Sequence, residues 1–460
     1  MREFLAVERI DPSKRLVVER IKDFREIYEV FDKEEAASQS DRCIQCGDPF
    51  CLNKCPLHNY VPQWLNAVAQ KDLEFAFNLS NEPSPFPEVM GRVCPQDRLC
   101  EGDCTLNDGH GAITIGSIET FISEEGFKAG LKPKFAPLTS GKSVGIIGSG
   151  PAGLSAATYL LRSGINVTMY ERSARAGGLL TYGIPNFKLD KKIVERRVKL
   201  LVDAGMKLII NCEVGKDISF DKMSSKHDAI FLGLGATTAK VARLAGENAS
   251  NVYASMDYLT AIQKKSFEES YDKKYDFKDK DVVVIGGGDT AMDCLRTAKR
   301  EGAKSVTCLY RRDAHNMPGS QKEYKNAMEE GVEFTFYASP KAIKLDDHGS
   351  AVAVEIVKTV LGAKDEDGRQ RMEEIKGSET EVKADVVIMA LGFNPEVPSF
   401  LAENGIETNS WGGIVINDNF ETSTAGIYAG GDCYRGADLV VTAAYDGREA
   451  VRSMVKKLLK

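Results

Sequence analysis

The chain has 460 residues, of which 43% are hydrophobic, and its formal net charge is −7. This length and apolar content are typical of a globular protein of about three domains and exclude a disordered chain. Basic residues are scattered without a Lys/Arg block, which argues against a nucleic-acid partner, and the sequence lacks an apolar run typical of a signal peptide or a membrane span. We therefore expect a cytoplasmic protein without nucleic-acid or membrane partners.

Seven of the eleven cysteines lie between residues 43 and 104. An odd number with so uneven a distribution indicates ligands rather than a disulfide framework. The gaps between these cysteines are irregular and a proline follows two of them, as in ferredoxin runs, whereas zinc ribbons usually repeat paired CxxC units. Iron-sulfur clusters are therefore the favoured interpretation, and structural zinc, with His58 as a further ligand, is the alternative.

The order of the cysteines predicts two clusters. In two-cluster ferredoxins the fourth cysteine of a run serves the other cluster. By that logic the first group consists of Cys43, Cys46, Cys51 and Cys104, and the second of Cys55, Cys94 and Cys100. Seven thiolates are one fewer than two [4Fe-4S] clusters need, so one ligand must be another residue type. We expect residues 1–140 to form a mainly α-helical iron-sulfur domain.

The stretch 143–172 predicts a strand, a glycine turn, a helix and a second strand. Its glycines form a GxGxxG turn, in which a dinucleotide pyrophosphate sits at the helix N-terminus. Glu171 ends the second strand, where a carboxylate binds a ribose without a 2′-phosphate, as FAD requires; a solvated strand-end charge is the alternative. The residues predicted to contact FAD here are Gly148, Gly150, Pro151, Ala152, Gly153, Glu171 and Arg172.

The stretch 281–312 repeats this plan, with Gly286, Gly288 and Ala291 in the turn. Aligning VTMYE with TCLYR places Arg311 where Glu171 stands in the first unit. Arg311 and Arg312 would bind a 2′-phosphate through charge-assisted hydrogen bonds, which favours NADPH over NADH. The alternative is a solvated basic pair unrelated to the choice of coenzyme.

The second unit lies inside the first. Both units end in the same pattern, DAIFLGLGA at 228–236 and DVVIMALGF at 385–393, and a further strand with its turn, GIYAGGDC at 426–433, follows only afterwards. We expect an α/β protein with two nested Rossmann-like domains of the glutathione-reductase type behind the iron-sulfur domain. The predicted bounds are 141–278 with 386–460 for the FAD domain and 279–385 for the NADPH domain.

The late turn and the last helix complete the predicted flavin site. Gly431 and Asp432 would contact the ribityl and pyrophosphate region, and the helix start at Leu439 and Val440 would stabilise negative charge on the flavin. Hydride transfer needs stacked rings rather than an acid or base, so we name no proton-transfer catalyst. Outside the N-terminal group no two cysteines are close enough in sequence for a redox-active pair, so the electrons would leave through the clusters.

The motifs DRCIQCGDPFCLNKCPLHNYVPQW, GRVCPQDRLCEGDCTLN, GGLLTYGIPNFKL, GGGDTAMDC, RRDAHNMPGS and GGDCYRGADLVVTA resemble those of the small (beta) subunit family of bacterial NADPH-dependent glutamate synthases. The N-terminal half of dihydropyrimidine dehydrogenase and flavin-bifurcating transhydrogenase subunits are similar over the same modules. The resemblance implies that Glu119 is the missing cluster ligand. It further implies nucleotide contacts at Gly178, Leu179, Lys188, Arg197, Val214, Gly235, Ala236, Asp289, Thr290 and Gly392.

The resemblance also implies a partner, a large (alpha) subunit that makes L-glutamate from glutamine and 2-oxoglutarate. This chain would oxidise NADPH on FAD and pass electrons through its clusters to that subunit. One alternative is the same machinery serving another acceptor, of the ferredoxin-NADP transhydrogenase or sulfide dehydrogenase type. A second is a non-enzymatic redox-sensing or scaffold protein that binds zinc and nucleotide as structural ligands.

Overall fold

The N-terminal domain is built from short helices, as its sequence predicts. The structure is a computed structural model that describes residues 3–364 and 370–460. The helices pack around Trp64, Phe77 and Ile118, which are at most 1% exposed. Their bounds are α1 Val17–Arg20, α2 Lys33–Asp41, α3 Phe50–Lys54, α4 Val61–Ala69, α5 Leu73–Asn81, α6 Pro87–Val93 and α7 Ile115–Lys128, with 3-10 turns at Glu3–Leu5, Gln96–Arg98 and Thr105–Asn107.

The first nucleotide-binding domain follows an irregular stretch, 131–142. Its five-stranded parallel sheet has the order β16-β4-β1-β2-β3, in which the edge strand β16, Ile427–Ala429, is contributed by a much later part of the chain. The elements are β1 Ser143–Ile147, α8 Pro151–Arg162, β2 Asn166–Tyr170, α9 Leu179–Tyr182, α10 Lys191–Asp203, β3 Lys207–Ile209, α11 Phe220–Ser224, β4 Ala229–Leu232 and β5 Thr238–Ala239.

The second nucleotide-binding domain contains a parallel sheet of order β6-β14-β7-β8-β9 and an antiparallel sheet of β10 to β13. A 3-10 turn at Lys273–Tyr275 precedes β7. The elements are β6 Val252–Ala254, α12 Ser255–Ser266, β7 Asp281–Ile285, α13 Asp289–Arg300, β8 Ser305–Tyr310, α14 Gln321–Glu329, β9 Glu333–Phe336, β10 Ala338–Leu345, β11 Ala351–Lys364, β12 Gln370–Glu374, β13 Thr380–Lys383 and β14 Val386–Met389.

The bounds of this domain differ from the 279–385 inferred from the sequence. Strand β14 pairs with both β6 and β7, and the buried core of the domain includes Tyr258, Leu259 and Ile262 of α12. Residues 252–266 and 386–389 therefore belong to the second sheet and its covering helix. The sequence boundary lies inside the domain because β6 is only three residues long and no glycine turn follows it.

The chain then returns to the first domain. Strand β5 precedes the second domain and β15 follows it, and these two strands pair with each other. Strand β16 then joins the first sheet beside β4. The returning elements are β15 Phe393–Asn394, α15 Phe400–Glu403, β16 Ile427–Ala429, α16 Asp432–Arg435 and α17 Val440–Leu458. This confirms the nested α/β fold behind a helical domain. Within the described residues, no helix is both long enough and apolar enough to pass through a membrane.

Residues 12–30 form an arm that connects the three domains. Within the N-terminal domain Arg92 donates to Glu26, with Nε and Oε1 2.8 Å apart, and Ile27 N donates to the Phe187 carbonyl in the FAD domain. Nearer the middle of the arm Arg20, only 1% exposed, forms an ion pair with Glu330 of the NADPH domain. The arm thus fixes the position of the NADPH domain against the other two.

Candidate functional site

The first glycine turn has the geometry that its three glycines predict. Gly148 has a φ of +95°, and a Cβ there would lie 2.4 Å from the Gly233 carbonyl oxygen. A Cβ on Gly153 would lie 2.1 Å from the Gly148 carbonyl oxygen, so only glycine lets α8 approach the turn this closely. Around Gly150 no atom lies within 4 Å of such a Cβ. That open space, at the N-terminus of α8, is where a pyrophosphate would bind.

Glu171 lies beside this turn, as predicted, and is 5% exposed. Its Oε2 accepts hydrogen bonds from the backbone and the hydroxyl of Ser149, and its Oε1 accepts one from Ser173 N at 2.7 Å. Arg172 points outward and pairs with Glu396 at 2.6 Å. The carboxylate is therefore held at the end of β2, the position for a ribose contact.

Two distant segments close over the same turn. Gly178 has a φ of +53°, and a Cβ there would lie 2.8 Å from the Cα of Gly150. Gly431 has a φ of +77°, and its Cβ would lie 2.9 Å from that of Ala152, at the start of α8. The structure thus brings together Ala152 and Gly431, two predicted flavin-site residues that lie 279 positions apart in the sequence.

The remaining predicted flavin residues line the surroundings of this turn. Burial raises the pKa of Asp432 to about 7, so this carboxyl group is held in a poorly solvated place. Leu439 directly precedes α17 and Val440 begins it. Leu179 packs against the cluster formed by Ala236, Met256 and Phe393, and Gly235 and Gly392 have positive φ angles. Val214 is buried in the same hydrophobic cluster as Tyr170, the last residue of β2.

Two basic residues of the flavin loop region bind neighbouring domains. Lys188 Nζ lies 2.9 Å from Asp293 Oδ1 on α13 of the NADPH domain. Burial would lower the pKa of Lys188, but Asp293 and Glu323 raise it above its ordinary value. Arg197 donates through Nε and Nη2 to Glu88 of α6, each at 2.7 Å, and its buried Nη1 has no partner within the described residues. Neither pairing was predictable from the spacing of these residues in the sequence.

The second glycine turn repeats the geometry of the first. Gly286 has a φ of +143°, and a Cβ there would lie 2.3 Å from the Ala390 carbonyl oxygen, whereas no atom lies within 4 Å of a Cβ on Gly288. Asp289 and Thr290 begin α13 at this opening. In the described part of the chain neither Arg311 nor Arg312 forms an ion pair within 4.0 Å, and the buried Arg312 Nε has no hydrogen-bond partner. Unpaired guanidinium groups at this place fit a phosphate ligand.

The cysteines fall into the two groups that the sequence predicts. The thiols of Cys43, Cys46, Cys51 and Cys104 interact electrostatically and line one small cavity. In the second group Cys94 interacts with Cys55, and Cys100 interacts with both. Backbone amides of Leu57 and Asn59 donate to the Cys55 sulfur, which is typical support for a cluster thiolate.

Glu119 on α7 lies with the second group, where Cys94 and Cys100 both interact with it. It is 7% exposed, and burial raises its pKa to about 8. Asn59 Nδ2 donates to Glu119 Oε1 at 2.8 Å, and Trp64 Nε1 donates to Asn59 Oδ1 at 3.2 Å. One carboxylate oxygen is thus fixed by the protein, and no hydrogen-bond partner for the other is seen among the described residues. Sequence reasoning missed Asn59.

The donor set fits iron-sulfur clusters better than zinc. All eleven cysteines are free, and burial raises the pKa of the Cys43 thiol to about 11 and that of Cys51 to about 12. In residues 3–364 and 370–460 no three His, Cys, Asp or Glu side chains converge as one metal ion requires, and His58 is exposed. A cubane tolerates this spacing because each thiolate binds a different iron atom.

The sequence matches two protein families. Residues 20–131 match dihydropyrimidine dehydrogenase domain II, 4Fe-4S cluster, and residues 142–447 match the pyridine nucleotide-disulphide oxidoreductases. Among solved structures, FprA of Mycobacterium tuberculosis in complex with NADPH has a TM-score of 0.59 at 19% identity, over 70% of this chain and 85% of that one. Thioredoxin reductase of T. acidophilum has a TM-score of 0.50 at 20% identity, over 69% and 100%. These structures share the fold.

Curated relatives match over nearly the whole length. The chain is 46% identical to the glutamate synthase [NADPH] small chain of Escherichia coli, over 99% of this chain and 98% of the relative. It is 47% identical to the protein of the same name from Azospirillum brasilense, over 96% and 93%. The conserved length includes both the iron-sulfur domain and the nested nucleotide domains. The chain therefore belongs to the family of glutamate synthase [NADPH] small chains.

Proposed function

We propose that this chain is the electron-input subunit of a glutamate synthase, which oxidises NADPH and supplies electrons to a large subunit that forms L-glutamate from glutamine and 2-oxoglutarate. One observation carries the proposal: a single chain holds two glycine turns of the nucleotide-binding type and two separate groups of cysteines suited to bind iron-sulfur clusters. When bound, FAD would accept hydride from NADPH, and two [4Fe-4S] clusters would pass the electrons on singly. No acid or base catalyst is required for this reaction.

The chain's own residues bind and orient the nucleotides. The turn at Gly148, Gly150 and Gly153 leaves room for the FAD pyrophosphate, and Glu171 is positioned for its ribose. Arg311 and Arg312 would hold the 2′-phosphate that distinguishes NADPH from NADH. The buried Lys188–Asp293 pair bridges the flavin loop and α13, so it would keep the two nucleotide sites in register.

The positions of the two cysteine groups suggest the direction of electron flow. Cys55 and Cys94 of the second group pack against the hydrophobic core of the FAD domain, whereas Cys43 and Cys51 of the first group, like Cys100 of the second, pack against the core of the N-terminal domain. Beside the first group, Phe50 is 54% exposed. We infer that electrons pass from FAD to the second group, then to the first, and leave there for the large subunit.

The test is an anaerobic titration of the purified protein with NADPH and, separately, with NADH, followed by visible absorption. Bleaching of flavin absorption by NADPH at concentrations where NADH has little effect, over a broad iron-sulfur absorption near 400 nm, is expected. A colourless protein whose cofactors cannot be reconstituted would contradict the redox function. Equal reduction by both coenzymes would contradict only the assignment of Arg311 and Arg312.

The partner needs a separate experiment. A tagged chain should retain a large subunit on affinity purification, and glutamate should form from glutamine, 2-oxoglutarate and NADPH only when both subunits are present. Reduction of ferredoxin or polysulfide at a comparable rate, without a retained large subunit, would instead support the alternative acceptor.

A further inference from the structure

The loop between two cluster cysteines touches the NADPH-binding domain directly. Asp97 and Arg98 form a 3-10 turn between Cys94 and Cys100. Arg98 Nη1 donates to the Pro318 carbonyl, and its Nη2 lies 3.3 Å from Asp289 Oδ2. Asp97 Oδ2 accepts a hydrogen bond from Gln321 N at 3.0 Å. We call this set of contacts the latch.

The segment held by the latch lies on the second glycine turn. Gly319 N donates to the Gly287 carbonyl at 2.9 Å, and Ser320 N donates to Asp289 Oδ1 at 2.9 Å. A Cβ on Gly319 would lie 3.0 Å from the Gly287 carbonyl oxygen, so the segment packs closely against the turn. The same segment continues directly from Arg311 and Arg312. The latch therefore fixes one wall of the NADPH site.

The latch is itself fixed by the ligand loop of the second cluster. The Gln96 carbonyl accepts hydrogen bonds from Leu99 N, Glu101 N and Gly102 N, and Gln96 Nε2 donates to the Gly91 carbonyl at 2.9 Å. The turn that carries Asp97 and Arg98 is thus held by hydrogen bonds between Cys94 and Cys100. Iron ligation at these two cysteines would restrain both ends of that turn.

From this geometry we propose that Asp97 and Arg98 are positioning residues for NADPH, through which assembly of the second cluster sets the affinity of the NADPH site. The inference rests on the proposed function, because it needs NADPH at the second turn. Since binding energies are coupled reciprocally, a loop ordered by the cluster would favour NADPH binding, and a loop without its cluster would bind NADPH more weakly. A chain without its second cluster would then bind little NADPH.

The test measures the dissociation constant of NADP⁺ by anaerobic calorimetry on the holoprotein. Arg98→Ala and Asp97→Ala should each weaken binding by about twofold to fivefold, as expected for partly exposed charged contacts, and Arg98→Lys should restore part of the loss. Lys54→Ala is the matched control, because it removes an ion pair of similar exposure, Lys54–Asp103, elsewhere in the domain. FAD and iron contents should stay at wild-type values in all four variants.

A second comparison tests the coupling to the cluster. Cys100→Ser should weaken NADP⁺ binding, whereas Cys46→Ser, which removes a ligand of the other group, should not. Affinities within twofold of wild type for both Arg98→Ala and Asp97→Ala would overturn the proposal, even if Cys100→Ser fails to fold. A wild-type protein that does not bind NADP⁺ at all would instead contradict the proposed function.

Discussion

The side-chain amide of Asn59 donates to Glu119 Oε1 at 2.8 Å inside the N-terminal domain, where both side chains are at most 7% exposed. An isolated carboxylate in such a place would be costly unless it is paired or coordinates a metal. One amide hydrogen bond satisfies one oxygen only. The arrangement therefore fits a carboxylate whose second oxygen serves the second cysteine group.

Replacing Glu119 by Ala is expected to remove the second cluster while the first is retained. Three thiolates would remain at the second group, and four would remain at the first. Iron and sulfide analysis, with electron paramagnetic resonance of the reduced protein, measures the loss. Glu125→Ala on the same helix, which removes a carboxylate paired with Lys128, should keep both clusters. Full iron content in Glu119→Ala would exclude the ligand role.

Arg311→Ala should reduce the preference for NADPH over NADH. Loss of a charge-assisted hydrogen bond to the 2′-phosphate costs about 1.5–3 kcal/mol, so the KM for NADPH should rise roughly tenfold to a hundredfold. The KM for NADH should change little. Steady-state rates with ferricyanide measure both values. Lys341→Ala removes an exposed basic residue paired with Glu374 in the same domain and should alter neither. A parallel rise for both coenzymes would point to a folding defect.

Gly153→Ala should lower the stability of the apoprotein, whereas Gly150→Ala should weaken FAD binding. A Cβ at Gly153 meets the Gly148 carbonyl oxygen, so strain should lower the free energy of unfolding of the apoprotein by about 1–3 kcal/mol. At Gly150, with φ of −67°, a Cβ meets no protein atom within 4 Å and should leave apoprotein stability unchanged. It should nevertheless weaken FAD binding, because it projects toward the pyrophosphate position. Urea unfolding and FAD titration separate the two effects, and equal destabilisation would contradict this geometry.

Glu330→Gln should destabilise the protein by about 3 kcal/mol, because it leaves the buried cations Arg20, Arg296 and Arg300 short of a partner. Burial alone would raise the pKa of Glu330, but hydrogen bonds from Arg300 and Arg296 lower it to about 2. A lowered folded pKa contributes stability above the unfolded value near 4.5, and this contribution is lost as the pH falls toward 2.

The difference in the free energy of unfolding between wild type and Glu330→Gln, measured by urea unfolding, should therefore stay constant from pH 5 to 8. Glu329→Gln is the matched control, since Glu329 is the next residue, also pairs with Arg20, and is 40% exposed at its side chain. Glu329→Gln should lower the free energy of unfolding by less than about 1 kcal/mol. A difference that disappears within this pH range would contradict the lowered pKa.

Features carried by short-range patterns were predictable from the sequence. The glycine turns, the strand-end Glu171 and Arg311, and the order of the cysteines each depend on neighbours in sequence, and the structure places the thiols in the two expected groups. The nesting of the domains was readable because the closing pattern occurs twice. The position of Glu119 came only from the family resemblance.

Features that depend on distant contacts were not predictable in this way. Asn59 and Glu119 are 60 residues apart, and Arg98 meets Asp289 across 191 residues. Neither pair has a periodic or spacing signal. The same holds for strand β6, whose place in the second sheet is decided by pairing with β14 and not by its own three residues.

The position of β16 determines the order in which the protein can mature. The helical domain is complete by Lys128 and the NADPH sheet by Met389, but the FAD sheet lacks an edge strand until residues 427–429 are made. Because domains generally fold as units during synthesis, the cysteine-rich domain can form while the ribosome is still translating. The flavin domain is the last of the three to close, so a nascent chain cannot complete its flavin site before residues 427–429 have been made.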